Sequence, residues 1–242
     1  MNGYRKELKY IVGDDVLMDV RNRISAIMHK DVHQRGDFYR IRSIYLDSPD
    51  YRCFRENQAG ISTREKYRIR AYDLSREKIS AEIKIRHADT ISKMSVDISE
   101  GTLEKIIGGN VNEAVDALRK EQSKYDADSM KHRVIDKYIM RIAGEHFGPA
   151  VIVEYERCAY VYDICNVRIT FDRNITAAKR YDKFFDKELP GVAVIENGKH
   201  VLEIKYDEFL PSEISQVLAG VGLERQSCSK YARCVCADGI VQ

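Results

Sequence analysis

Residues 63–72 read TREKYRIRAY, and the alternation within this stretch predicts a β-strand with two different faces. Side chains two residues apart lie on the same face of a strand. One face carries the four cations Arg64, Lys66, Arg68 and Arg70. The other face carries Tyr67, Ile69 and Ala71, which are apolar enough to pack against a core. Neighbouring cations on the first face would stand about 7 Å apart and repel one another. Such a row is favourable where a polyanion lies against it.

Four other stretches divide into two faces in the same way. The charged or polar side chains that share a face are Arg5, Glu7 and Lys9; Glu82, Lys84 and Arg86; Arg168, Thr170 and Asp172; and Glu203 and Lys205. For any single strand, an amphipathic sheet with one solvated face is the simpler explanation. Five strands together favour a shared basic surface, because a solvated face normally mixes charges and uses Thr, Ser and Gln freely.

The overall composition indicates a soluble globular protein. The 242 residues include 40 Lys and Arg against 38 Asp and Glu, which gives a formal net charge of +2. This charge creates no global field that would favour nucleic acid. No apolar run approaches the ~18 residues that a membrane span needs, and the first ten residues contain no apolar signal segment. We therefore expect a cytoplasmic protein whose six cysteines are reduced.

Common zinc and nucleotide motifs do not occur in the sequence. None of the cysteines forms the C-x-x-C pair of a zinc site. Neither G-x-x-x-x-G-K-[ST] nor G-x-G-x-x-G occurs. The sequence therefore gives no support for a nucleotide bound by a Gly-rich loop.

Hydrophobic periodicity predicts about eight strands, with helices clustered in the middle and at the end of the chain. Strand patterns are found at Tyr4–Val12, Phe38–Leu46, Thr63–Tyr72, Ile79–Arg86, Ile91–Ile98, Ala150–Tyr162, Val167–Arg173, Val192–Glu196 and His200–Tyr206. Helical patterns are found from Asp14 or Asp15 to about His29, from Leu103 to Ile107, after Asn110, around Ile135–Ile142, near Pro211–Leu218 and near Gln226–Cys236. Alternating βαβ units are absent, so we expect antiparallel pairing.

We expect one α+β domain over residues 1–242. Its centre would be a closed eight-stranded antiparallel β-barrel, with helices packed outside and a helical insertion at about residues 100–147. A barrel of eight strands encloses a lumen wide enough for one small ligand. The charged faces would line this lumen, where low-dielectric walls strengthen the attraction between cations and phosphate groups.

Eight segments, taken in order, carry a resemblance to a known family. They read RKELKYIV, YRIRSIYLDS, REKYRIRAY, AEIKIR, VEYERCAY, VRITFDR, VLEIKYD and CSKYAR. This order resembles the VTC-type polyphosphate polymerase domain, which belongs to the triphosphate tunnel metalloenzymes of the CYTH-like superfamily. The resemblance extends from about Tyr4 to Ala232. It implies an eight-stranded antiparallel barrel whose tunnel binds triphosphate groups and a divalent metal.

The resemblance also implies roles for individual residues. Those that resemble the family's phosphate-binding cations are Lys9, Arg68, Arg70, Lys84, Lys93, Arg157, Arg168 and Lys230. Glu203 resembles the main metal ligand, and Mn²⁺ or Mg²⁺ is the expected metal. Shared strand faces add Lys66, Arg86 and Lys205 to the predicted phosphate- and nucleotide-binding residues. The residues expected to act in catalysis are Arg68, Arg70, Lys84, Arg157 and Arg168.

The first strand departs from the hydrolase and cyclase branches of the superfamily, which carry E-x-E-x-K. Here the run is Arg5-x-Glu7-x-Lys9, with a cation at the first Glu position. This difference weakens a two-carboxylate metal site on the strand and favours the polymerase branch.

Three functions remain open from the sequence. The first is metal-dependent transfer of the γ-phosphate of ATP onto polyphosphate, with pyrophosphate as a possible primer and ADP as product. The second is hydrolysis of tripolyphosphate or nucleoside triphosphates, for which Glu7, Glu82 or Asp172 could activate water. The third is a non-catalytic polyphosphate-binding module. A carboxylate such as Glu203 argues against the third, because it would weaken anion binding unless a metal were bound to it. We expect no nucleic-acid partner and no membrane span.

Overall fold

A β-sheet dominates the computed structural model, which describes residues 5–32, 34, 36–88 and 90–237. Its strands are β1 (Lys6–Gly13), β2 (His29–Lys30), β3 (Tyr39–Asp47), β4 (Thr63–Tyr72), β5 (Ile79–His87), β6 (Thr90–Ile98), β7 (Gly148–Tyr162), β8 (Val167–Ala178), β9 (Val192–Ala193) and β10 (Lys199–Tyr206). The α-helices are α1 (Asp14–Ile24), α2 (Arg52–Gln58), α3 (Glu100–Ile107), α4 (Val111–Gln122), α5 (Met130–Glu145), α6 (Ser212–Leu218) and α7 (Lys230–Ala237). The protein is therefore a mixed α+β structure.

The main path of the sheet follows eight strands in the order β1-β10-β8-β7-β3-β4-β5-β6. Every neighbouring pair on this path is antiparallel, as expected from the absence of βαβ units. The two short strands lie beside this path, β2 against β7 and β9 against β8.

Over the described residues, the sheet does not close into the complete barrel expected from the sequence. Its edge strands, β1 and β6, meet at one bridge, where the backbones of Arg5 and Ile91 exchange two hydrogen bonds of 3.0 and 3.1 Å. Within the described residues, this bridge is the whole of the pairing between the two edges. The closed-barrel prediction is not confirmed, and Tyr4, its predicted first strand residue, lies outside the described residues.

The end of the chain differs most from the sequence-based expectation. The strand predicted at Val192–Glu196 is reduced to the two-residue β9. The helix predicted from Gln226 begins only at Lys230. Ser229 caps it, because the Ser229 hydroxyl accepts a hydrogen bond of 3.2 Å from the backbone amide of Ala232. Residues 225–229 therefore form a non-helical connection, which is bridged to β1 between Arg225 and Tyr10.

One apolar face of the sheet packs against α1 and α6. Fully buried side chains in this cluster include Val20 and Ile24 from α1, Ile214 from α6, Ile169 from β8 and Ile204 from β10. The two strand residues alternate with charged ones, which therefore point to the opposite side of the sheet.

The helices α3, α4 and α5 lie between β6 and β7 in the chain and cover a second apolar face. Leu118 of α4 and Ile135 of α5 are buried in the same cluster as Ile69 of β4 and Ile83 of β5. The predicted start of α4 is confirmed, since the Asn110 side chain accepts hydrogen bonds from two backbone amides of the first turn. None of the helices in the described residues combines the length and apolar composition needed to cross a lipid bilayer.

Helix α7 is anchored to the sheet through a buried carboxylate. The Tyr231 hydroxyl donates a hydrogen bond to Asp47, and the Tyr231 ring stacks on Tyr45 with 4.8 Å between ring centroids. Asp47 also accepts hydrogen bonds of 2.8 and 3.0 Å from the backbone amides of Cys53 and Phe54 in α2. One side chain at the end of β3 thus ties together α2 and α7, and fixes the residues just before α7 against the charged face of the sheet.

Candidate active site

A cavity of about 810 Å³ lies on the charged side of the sheet. Its wall is built from side chains of the eight strands on the main path and from residues 225–231. Among the described residues, fifteen Lys and Arg side chains line this cavity, against the three carboxylates Glu7, Glu203 and Asp207. A concave surface with this excess of positive charge concentrates polyanions.

All twelve site residues predicted from the sequence line this one cavity. They are Lys9, Lys66, Arg68, Arg70, Lys84, Arg86, Lys93, Arg157, Arg168, Glu203, Lys205 and Lys230. Strand alternation explains eleven of these positions, and the anchored start of α7 explains the position of Lys230. Their individual roles in binding and transfer stay predictions.

On β1 and β10, two carboxylates alternate with two lysines. Glu7 pairs with Lys205 across the strands, and Lys9 pairs with Glu203. The Lys9 ammonium lies 3.4 Å from Glu7 and 3.5 Å from Glu203. The Lys205 ammonium lies 3.3 Å from Glu7 and 3.2 Å from Glu203. Burial raises the pKa of Glu7, but the surrounding lysines, Lys84 foremost, hold it well below its usual value. Both lysines therefore bridge two ionised carboxylates.

Asp172 forms the most buried charge cluster of the site. Its carboxylate accepts two hydrogen bonds from Arg157, of 2.6 and 2.7 Å, and lies 2.5 Å from the Lys230 ammonium. Lys230 also contacts Glu203 at 3.1 Å. Burial raises the pKa of Asp172, but Arg157 and Lys230 lower it below its ordinary value. The ionised carboxylate of Asp172 therefore holds Arg157 and Lys230 in position.

Glu82 organises the cations on the opposite side of the cavity. Its carboxylate lies 2.6 Å from Arg68, 3.0 Å from Lys93 and 3.7 Å from Arg70. Burial raises the pKa of Glu82, but Arg68 and Arg70 lower it far below its usual value. One buried carboxylate thus positions three of the predicted phosphate-binding cations.

Arg168 and Arg86 occupy other parts of the wall. The Arg168 guanidinium lies 2.6 Å from Asp31 and 3.4 Å from the Tyr39 hydroxyl. The Arg86 guanidinium donates a hydrogen bond of 2.8 Å to the backbone carbonyl of Ala88. Each guanidinium carries N–H donors in the planar arrangement that suits phosphate oxygens.

The pKa values of Lys84 and Lys66 are lowered by burial and by the neighbouring cations of the wall. Burial lowers the pKa of Lys84 to about 7, although Glu7, 3.1 Å away, favours the charged form. Burial also lowers the pKa of Lys66 well below its ordinary value, and Lys84 and Lys9 lower it further. A bound polyanion would raise both values, because it stabilises the protonated amines.

Five tyrosines of the wall were not predicted as site residues. They are Tyr39, Tyr45, Tyr72, Tyr155 and Tyr231. The Arg70 guanidinium lies 5.7 Å from the ring centroid of Tyr72, and that of Arg157 lies 5.2 Å from the centroid of Tyr155. Alternation could have revealed two of the five, since Tyr72 and Tyr155 each lie two residues from one of these arginines. Their rings support the guanidinium groups by cation–π contacts.

The connection before α7 and one residue of α2 also reach the cavity. The backbone amide of Gln226 donates to the carbonyl of Lys9 at 2.9 Å, which fixes residues 225–229 to β1. The Lys66 ammonium donates to the Ser229 hydroxyl at 2.9 Å and to the Asn57 side-chain oxygen at 2.7 Å. No periodic pattern in the sequence indicates these contacts, because each joins side chains or backbone groups of different elements.

The sequence itself decides the family. The profile of the family described as "VTC domain" matches residues 4–237. This chain belongs to the VTC domain family. The resemblance inferred from the eight segments is therefore confirmed. No curated protein matched the chain by sequence.

Two solved structures resemble the protein over nearly its whole length. One is HpAC1 from Hippeastrum, a candidate adenylyl cyclase whose description reports a dominant triphosphatase activity. It is 14% identical, with 99% of this chain and 97% of that chain covered and a TM-score of 0.53. The other is a candidate adenylate cyclase from Bacillus halodurans, 12% identical, with 95% and 96% covered and a TM-score of 0.51. At these identities the likeness shows a shared fold and nothing about activity.

The family and fold imply a divalent metal, and the carboxylates of this VTC domain fit one that binds together with a phosphate ligand. Glu7 and Glu203 face the same part of the cavity, since both contact Lys9 and Lys205. Within the described ranges, no three His, Cys, Asp or Glu side chains are grouped closely enough to hold a metal by themselves. Mg²⁺ commonly takes one or two carboxylates and completes its shell with water and substrate phosphates. Glu203 is therefore a suitable single protein ligand.

Proposed function

We propose that this VTC domain is a metal-dependent polyphosphate polymerase, which transfers the γ-phosphate of ATP onto a polyphosphate chain and releases ADP. The observation that carries the proposal is the cavity wall, where fifteen cations face three carboxylates in a member of this family. A triphosphate and the end of a polyphosphate chain together carry many negative charges. This wall supplies enough cations to bind both at once.

The reaction needs alignment and charge neutralisation more than a protein nucleophile. An oxygen of the terminal polyphosphate unit would attack the γ-phosphorus, and the bond between that phosphorus and the β–γ bridging oxygen would break. The bridging oxygen leaves with the electron pair as part of ADP. The attacking oxygen is already anionic, so no general base is required.

The arginines fixed by buried carboxylates suit the transferred phosphoryl group. Arg68 is held by Glu82, and Arg157 by Asp172, so their guanidinium groups need little reorganisation when charge develops on the equatorial oxygens. Arg70 adds a third guanidinium beside Arg68. A metal held by Glu203 would supply further neutralisation of the phosphate oxygens.

Transfer is favoured over hydrolysis by the state of the carboxylates. Hydrolysis benefits from a carboxylate that can accept a proton from water. Glu7, Glu82 and Asp172 are each ion-paired with at least two cations. Burial raises the pKa of each, but the cations lower it below the usual value, so each is a weak base.

A triphosphatase is the second candidate function. It is favoured by the shared fold with HpAC1, whose description reports a dominant triphosphatase activity. The third candidate is a non-catalytic binding module, and Glu203 argues against it less strongly than the sequence suggested. Lys9, Lys205 and Lys230 neutralise this carboxylate, so it need not repel a polyanion.

Product analysis separates these functions. The purified protein is incubated with ATP and Mn²⁺ or Mg²⁺, with and without pyrophosphate as primer. Polyphosphate is then stained on a gel, and ADP and free phosphate are quantified. We expect long chains with matching ADP. Free phosphate without chains would indicate a triphosphatase. Binding of tripolyphosphate without turnover would indicate a binding module.

Two variants and two matched controls connect the products to the cavity. Glu203→Gln removes the predicted metal ligand, and Arg68→Ala removes a cation expected to contact the transferred group. We expect both to lose chain synthesis by at least about a hundredfold. Glu113→Gln and Arg119→Ala make the same chemical changes on exposed positions of α4 and should retain the wild-type rate. Equal activity in all four variants would contradict the proposal.

A further inference from the structure

Lys66 differs from the other cations of the cavity in how its charge is balanced. Its ammonium lies where β4, α2 and the start of α7 meet, and it donates to Asn57 and Ser229 at 2.7 and 2.9 Å. It also lies 5.8 Å from the ring centroid of Tyr231. Within the described residues, no carboxylate lies within ion-pair distance of this ammonium. Its two hydrogen-bond partners are neutral groups.

The carboxylates of the site neutralise other cations of the cavity instead. Glu7 and Glu203 neutralise Lys9 of β1 and Lys205 of β10. Asp172 neutralises Arg157 of β7 and Lys230 at the start of α7. Glu82 neutralises Arg68 and Arg70 of β4 and Lys93 of β6. None of these four carboxylates forms an ion pair with Lys66.

The groups around Lys66 add to this imbalance. Lys84 from β5, Lys9 from β1 and Arg64 from its own strand all disfavour its charged form. Burial raises the pKa of the nearby Cys53 thiol of α2, so this thiol is neutral and supplies no counter-charge. A recessed ammonium without a counter-ion is costly, and a bound anion removes this cost.

We propose that Lys66, the Ser229 hydroxyl and the Asn57 side-chain amide form a separate phosphoryl subsite for an inorganic oligophosphate chain. The inference rests on the proposed function, because it takes the same polyanion as ligand. The phosphoryl group supplies the counter-charge that the protein lacks at this point. The hydroxyl and amide groups hold the ammonium in position, and each can also donate to a phosphate oxygen. The neutral fraction of Lys66 takes up one proton from solvent when the chain binds.

Calorimetric titration with inorganic tripolyphosphate tests the subsite, in the presence of EDTA and at several pH values between 6.5 and 9.5. Lys66→Met should weaken binding about 10- to 100-fold at neutral pH, the usual effect of losing a charged hydrogen bond. The control is Lys137→Met, which removes a lysine that contacts Glu65 on the outer side of β4. This control should bind like wild type. Melting temperatures verify that every variant is folded.

Lys66→Arg distinguishes a phosphate-binding charge from a merely structural side chain. A guanidinium stays protonated over the whole pH range, so this variant should retain affinity. Wild-type affinity should fall as pH rises, because neutral Lys66 must then take up a proton on binding. The slope should be smaller in Lys66→Arg by up to one proton per molecule, while Lys84 still contributes its share.

Two results would overturn the subsite. One is a folded Lys66→Met protein that binds tripolyphosphate as wild type does. The other is a folded Lys66→Arg protein that binds as weakly as Lys66→Met, or that keeps the full wild-type pH slope. Failure of the polymerase proposal gives a different pattern, in which tripolyphosphate binds through Lys66 and no chains are made. A wild-type protein without affinity for tripolyphosphate would contradict both proposals.

Discussion

Replacing Asp172 by Asn should lower the stability of the protein and at the same time strengthen its binding of polyanions. Asp172 is fully buried and makes two hydrogen bonds to Arg157 and an ion pair of 2.5 Å with Lys230. Breaking a buried ion pair by removing one partner costs about 3–5 kcal/mol. Both cations keep a second carboxylate, since Glu203 lies 3.7 Å from Arg157 and 3.1 Å from Lys230. We therefore expect a loss near the lower limit, about 3 kcal/mol.

The same substitution should strengthen polyanion binding. It makes the cavity more positive by one charge and releases hydrogen-bond donors of Arg157 and Lys230. A tenfold gain in affinity for tripolyphosphate corresponds to about 1.4 kcal/mol of extra stabilisation at saturation. The deficit of Asp172→Asn should therefore shrink from about 3 kcal/mol without ligand to about 1.6 kcal/mol with saturating ligand.

Thermal melting with and without tripolyphosphate measures both effects. For a domain of this size, about 1 kcal/mol shifts Tm by roughly 2–4 °C, so Asp172→Asn should melt about 6–12 °C below wild type. Its ligand-induced rise in Tm should exceed that of wild type. The control Asp182→Asn breaks an exposed ion pair with Arg180 and should change Tm little. The reasoning is refuted if Asp172→Asn melts within 2 °C of wild type, or if the ligand raises its Tm less than it raises that of wild type.

Three further predictions follow from the site. The pKa of Lys84 is lowered to about 7 in the folded protein, so above that pH the unfolded chain binds more protons than the folded one. The free energy of unfolding, measured by urea titration, should therefore rise with pH between about 7 and 10. Lys84→Arg should flatten this rise, and an unchanged slope would contradict the assignment. Tyr231→Phe keeps the stack on Tyr45 but removes the hydrogen bond to Asp47, so urea titration should show a loss of about 1–3 kcal/mol, against little change for Tyr125→Phe. EDTA should abolish chain synthesis while leaving tripolyphosphate binding measurable by calorimetry, because the cations of the wall bind phosphate without a metal. Loss of both synthesis and binding would contradict the prediction that only synthesis needs the metal.

The sequence by itself determined which side chains share a face. Alternation in residues 63–72 depends only on strand geometry, so it placed Arg68 and Arg70 on one side and Ile69 on the other before any contact was known. The order of the eight segments likewise indicated the family, and the match over residues 4–237 confirmed it.

Only the tertiary structure decided how these charges are balanced and which connections reach the cavity. Asp31 contacts Arg168, and Ser229 contacts Lys66, across chain separations of more than a hundred residues that no local pattern encodes. Closure of the sheet was also beyond the sequence, because it depends on the pairing of strands from distant parts of the chain. The lowered pKa of Lys84 has the same origin, since burial and the surrounding lysines exist only once the strands are assembled. Periodicity fixes the direction of a side chain, whereas its partners depend on the packing of the whole chain.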